Sequence, residues 1–115
     1  MGLDNFWELP DGSEPPDLNP PLNLCGGMFS GHGGGSFRGK VYNGLIEEIT
    51  GVSLYQDKID NDTIIEMALA LSEVDPGSEV IRRHSGWDTA EDEFKDLVRM
   101  FMTYAEMGAV LRGWW

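Results

Sequence analysis

An α+β fold in one small domain is predicted by three features of the 115-residue sequence. The second two thirds carry three stretches of apolar residues at helical spacing, the last of them the longest. The start is short, aromatic and strand-like. Between them lies a glycine-rich block with its own charge character. The chain divides accordingly into an acidic, proline-rich arm (1–25) with a docked start, a glycine-rich loop (26–40) and a helical part (41–115). About three helices are expected, with short strands or extended segments from the N-terminal third lying on them.

Leu3, Phe6, Trp7 and Leu9 give the first nine residues enough apolar character to dock, as a short strand. The following PDGSEPPDLNPP reads as turn and polyproline-type chain, because proline fixes φ and pushes its predecessor out of the helical region. Leu22, Leu24, Met28 and Phe29 lead into the glycine block. Cys25, the one cysteine, reads as a buried, inert thiol in a reducing compartment.

After Lys40 the spacing turns helical. Val41, Tyr42, Leu45, Ile46 and Ile49 share a face, and Gly51 is the stop. A second helix opens near Asp60, with Asp60, Asp62 and Thr63 as rival caps. Its stripe is Ile64, Met67, Ala68, Leu71 and Val74, widened by Ile65 and Leu69, and Pro76-Gly77 ends it. The third is expected from about 88 to 111, with Phe94, Leu97, Val98, Phe101, Ala105 and Gly108 on its core face. Glu91, Asp92, Glu93 and Asp96 read as a solvated helix start, where negative charge suits the dipole. Met100, Met102, Met107 and Val110 make this helix apolar on more than one side. With the terminal Trp114 and Trp115, they predict a homo-oligomer, most simply a dimer, unless the indoles fold back on the core.

Twenty acidic residues against eight Lys and Arg leave a net charge of −12. That balance opposes general binding to nucleic acid or to an anionic membrane. It favours solubility, a basic protein partner, mimicry of nucleic acid, or a saline habitat. No apolar run approaches the ~20 residues of a membrane span, so a soluble, cytoplasmic protein is expected.

Residues 26–40, GGMFSGHGGGSFRGK, hold seven glycines, His32, Arg38 and Lys40, and no acid. Glycine allows positive φ and close backbone approach, which a loop wrapping an anion with its own N–H groups requires. Backbone amides of Gly31, Gly33, Gly34 and Gly35 would hold phosphate, with Ser36, Arg38 and Lys40 assisting and His32 or Phe37 stacking on a base. A helix starting near Gly39 would add unpaired first-turn amides. Arg82, Arg83 and His84 form a secondary cationic spot. The block departs from the P-loop, because Val41 stands where Ser or Thr must hold Mg²⁺, and it lacks the strand–turn–helix setting of a dinucleotide fold. Ser36 is not in a nucleophile elbow. Two histidines and scattered acids show no metal-ligand spacing, and no catalytic residue or cofactor is assigned. A small two-histidine phosphodiesterase-like enzyme, using His32 and His84, is a minor alternative.

The opening MGLDNFW, the block NLCGGMFSGHGGGSFRGKVY and the closing GWW resemble a group of short proteins encoded by tailed phages. The resemblance transfers no site residues. It implies the context of infection and the host cytoplasm, where small non-enzymatic proteins disarm host defence. Two functions are therefore expected in order. The first is sequestration of a small phosphate-bearing ligand, a nucleotide immune signal. The second is an acidic inhibitor that covers a basic surface of a host defence protein.

Overall fold

Alternation along β1, Asp4–Glu8, divides the molecule into two sides. Asn5 and Trp7 point into the core, while Phe6 and Glu8 stay half-buried on the other face. The computed structural model describes residues 3–16, 18, 22, 24, 36–84 and 90–115. Within them the chain runs β1, β2 (Ser36–Phe37), α1 (Gly39–Thr50), β3 (Lys58–Ile59), α2 (Asn61–Ser72), α3 (Glu79–His84), α4 (Ala90–Glu106) and β4 (Val110–Trp114). The strands form one antiparallel sheet in the order β2-β1-β4-β3. The expected α+β class holds.

The helices cover the inner face of the sheet. Trp7 meets Phe101 edge-on at 5.1 Å and Tyr104 at 5.2 Å, joining β1 to α4. Phe37 packs against Tyr42 of α1 and Phe101, with Ile59 and Leu111 buried beside them. These rings and the stripes Ile64, Met67, Leu71 and Phe94, Leu97, Phe101 make a single core. The arm docks beyond its first residues: Pro15 is buried, and the Tyr104 hydroxyl donates to the Pro16 carbonyl at 3.0 Å.

Local chemistry explains the helix ends. Gly51, at φ 77°, closes α1 by donating to the Glu47 carbonyl. Asp60 caps α2, accepting from the Thr63 N–H at 2.9 Å, which decides among the three rival caps. The third expected helix is shorter than its apolar spacing suggests. α4 stops at Glu106 in a Schellman motif: Gly108, at φ 77°, donates to Ala105, and Ala109 donates to Tyr104. The Asn61 side chain seals the turn by donating to the Ala105 and Ala109 carbonyls. The residues beyond become β4, a central strand, where helix was expected as far as 111.

Other expectations are corrected on the helical side. A short fourth helix, α3, occupies 79–84 between the second and last expected helices. Ile65 and Leu69, read as widening a buried stripe, are 41% and 53% exposed, and Val41 is likewise at the surface. Glu91 and Asp92 are solvated, but Glu93 is buried. Trp114 and Trp115 fold into no core; Trp115 leans edge-on against the exposed Tyr55 at 5.6 Å.

Candidate ligand site on the outer face of the sheet

Strand register builds a row across all four strands. Ser36 lies opposite Phe6, Phe6 opposite Arg112, and Arg112 opposite Lys58. Directly opposed residues of an antiparallel pair share a face, so these four side chains stand together on the side away from the helices. A neighbouring row pairs Asp4 with Trp114. Arg38, one residue past β2, reaches into it. Its Nε lies 3.0 Å from Oδ1 of the mostly buried Asp4 carboxylate, a charge contact off the axis of a hydrogen bond. Asp4 thereby anchors the near side of a guanidinium whose far side is half-exposed. Arg112 sits more loosely, 4.0 Å from Glu8 Oε1.

Beside this face a cavity of about 320 Å³ opens, lined by Phe6, Trp7, Glu8, Ser13, Glu14 and Ser36, with Gly12 at its rim. A tight turn forms its wall. Gly12, at φ 84°, donates to the Leu9 carbonyl, and Leu9 donates to Ser13. Ser13 donates to Asp11 Oδ1 through both its hydroxyl and its N–H, and these two bonds hold the Asp11 carboxyl below the usual range. The Ser36 hydroxyl is buried and has no hydrogen-bond partner among the described residues. A buried hydroxyl without a partner is unfavourable by ~1–3 kcal/mol, and a ligand that bonds it recovers that loss.

The residues singled out in the sequence separate on this frame. Ser36 and Arg38 border the outer face. Phe37 points the opposite way, into the core at 1% exposure, so it offers no face for stacking. Lys40 is exposed on the first turn of α1. That turn starts at Gly39 as expected, yet two of its amides are engaged: Lys40 N–H donates to the Leu3 carbonyl and Val41 N–H to Arg38. The helix N-terminus is therefore a weaker anion site than the sequence suggests. Gly31, His32, Gly33, Gly34 and Gly35 lie outside the described residues, as does Cys25. Arg82 and Arg83 are exposed on α3, where Arg83 pairs with Glu48 at 3.0 Å; the His84 side chain lies outside the described residues.

Phe6, Lys58, Arg112 and Trp114 are the site residues that sequence reasoning missed. The signal that could place Arg112 and Trp114 on a strand is Gly108 as a helix stop followed by the β-branched Val110 and the aromatic Trp114, which the helical spacing upstream obscured. Among the described residues, no group of three His, Cys, Asp or Glu is arranged to hold a metal ion. No helix among them is long and apolar enough to cross a membrane. No family model matches this chain, and neither a curated protein nor a solved structure shows significant similarity to it.

Proposed function

We propose that the protein binds and sequesters a nucleotide-like, phosphate-bearing ligand on the outer face of its sheet. The observation that carries this reading is the Ser36 hydroxyl, without a partner among the described residues, buried at the border of the 320 Å³ cavity and registered in one row with Phe6 and Arg112. Charge orients the ligand. Glu8 and Glu14 repel phosphate from the cavity, so the phosphate belongs toward Arg38 and Arg112, where guanidinium donors match its oxygens. The sugar and base belong in the cavity, where the two carboxylates accept hydroxyl hydrogen bonds and Phe6 supplies a ring. Gly31, Gly33, Gly34 and Gly35, which precede Ser36 in the sequence, would add backbone donors for the phosphate. Capture of a nucleotide immune signal fits the infection context that the phage resemblance implies.

A thermal-shift screen of the full chain against mono-, cyclic and dinucleotides, with ADP-ribose derivatives, tests the reading. At least one nucleotide should raise the melting temperature, and Ser36→Ala should reduce that rise while leaving the unliganded protein folded. A panel with no stabilising member, or a shift indifferent to Ser36→Ala, overturns it.

A further inference from the structure

On the helical layer, away from the sheet, α2 and α4 leave an apolar groove between them. It measures about 220 Å³ and is lined by Ile65, Ala68, Leu69, Met102, Ala105 and Glu106. The two helices run antiparallel here, since Asn61 at the start of α2 bonds the carbonyls at the end of α4. Ile65 and Leu69 stand one turn apart with large exposed areas. Their spacing, i and i+4, matches the anchor spacing of a third helix laid along the groove.

Charge identifies the occupant. The α2 bank carries Asp62 and Glu66, with Glu73 just beyond its end, all exposed, and α2 contains no Lys or Arg. Glu106 lines the other bank. Of the cations of α4, Arg99 stands one turn before Met102 and is paired with Asp96 at 3.3 Å, and Lys95 lies a further turn toward the start of the helix. We propose that this groove docks a basic amphipathic helix of a partner protein. That helix would place leucine-like side chains over Ile65 and Leu69 and lysine or arginine against Asp62, Glu66, Glu73 and Glu106. A second copy of this chain is a poor occupant. Two-fold pairing of the groove would set α2 acids against α2 acids, in molecules of net charge −12 each. The sheet-face ligand reading shares no residue with this surface, so the two stand or fall separately.

The test uses the full chain and a fluorescently labelled 18-residue Leu/Lys peptide with leucine on one helical face. A Leu/Glu peptide with the same apolar face serves as the control. Anisotropy should show the Leu/Lys peptide binding and the Leu/Glu peptide not, with affinity falling as salt rises. A highly acidic protein attracts any cationic peptide, so the groove is isolated by charge-neutral variants. Leu69→Ser and, independently, Ile65→Ser should each weaken binding about tenfold or more. Val41→Ser, which removes an exposed apolar side chain from α1, should leave it unchanged. Circular dichroism verifies that each variant is folded, and with both side chains already at the surface at least one is expected to be. Equal binding by parent and groove variants would reduce the attraction to net charge and overturn the proposal. So would a peptide-free dimer that Leu69→Ser dissociates, because a second copy would then be the occupant.

Discussion

The Tyr42 hydroxyl donates to Glu93 Oε2 at 2.8 Å in the buried space between α1 and α4. Glu93 follows Glu91 and Asp92, which both face water, so this bond singles out one carboxylate for a structural task. A hydrogen bond to a charged group contributes roughly 1.5–3 kcal/mol. Tyr42→Phe should lower the urea unfolding free energy by about that amount, while Glu93→Gln, which keeps an acceptor, should lose less. Because both variants keep the side-chain volume, equal losses would assign the contribution to the charge on the Glu93 carboxylate and not to its capacity to accept.

Gly113 predicts a second stability effect. A Cβ there would run into the Gln56 carbonyl oxygen and lie 3.2 Å from that of Leu54, both backbone atoms that cannot swing aside. Gly113→Ala should destabilise by roughly 1–3 kcal/mol, the range of core overpacking. Gly12→Ala meets nothing within 4 Å and suffers only its positive φ, a strain of about 1–2 kcal/mol. Denaturant midpoints of the two variants should therefore separate, with Gly113→Ala the lower.

Helices α1 and α2 were legible because their signals are local: Gly51 and Asp60 mark boundaries that no distant contact needs to decide. The strand-like start was legible in the same way, from Phe6 and Trp7. β4 was hidden because Ala105, Gly108 and Val110 continue the spacing of α4, and only the left-handed turn at Gly108 breaks it. The exposure of Ile65 and Leu69 could not be read from periodicity, which marks apolar residues without saying whether anything lies opposite. Ser36 and Arg38 carried a visible polar signal. Their grouping with Phe6 and Arg112 depends on pairing across the sheet, which no local pattern encodes.

The cap of α2 should be visible in pH dependence. The Thr63 N–H bond, then the Thr63 side chain, holds the Asp60 carboxyl below its ordinary value. A depressed carboxylate stabilises the fold above the unfolded-state value of about 3.9 and loses that contribution as pH falls through the lower folded value. Asp60→Ala should therefore melt lower than the parent at neutral pH, with the gap closing in acid. A gap that stays constant to pH 2 would assign the effect to something other than the ionised cap.

For ligand binding, Arg38→Ala and Arg112→Ala should each weaken the best nucleotide of the thermal screen by about tenfold to a hundredfold, the range of charge-assisted contacts. Arg83→Ala, which breaks only the surface pair with Glu48, should bind like the parent. Isothermal titration of the three variants decides between the outer face and α3.

Assembly has its own readout. Tyr55, Trp114 and Trp115 expose aromatic surface at one corner of the sheet, and such surface favours a second copy. Light scattering at micromolar concentration should give at least twice the chain mass of 12.8 kDa, and Trp115→Ser should return the monomer. A monomeric parent rules this out.

The central pair of the sheet sets Asp4 opposite Trp114 and Glu8 opposite Val110. A chain leaving the ribosome can form α1 and α2 as they appear, but β1 has no central neighbour until β4 is made. Until then Trp7 has only part of its packing, and the edge of β1 offers unpaired N–H and C=O groups to any strand nearby. Loop closure over nearly the whole chain must precede those contacts, which slows folding. Until β4 is made β1 can pair only with β2, so the pairings of β4 with β1 and β3 come last and the open edge of β1 is the place for misassembly during synthesis.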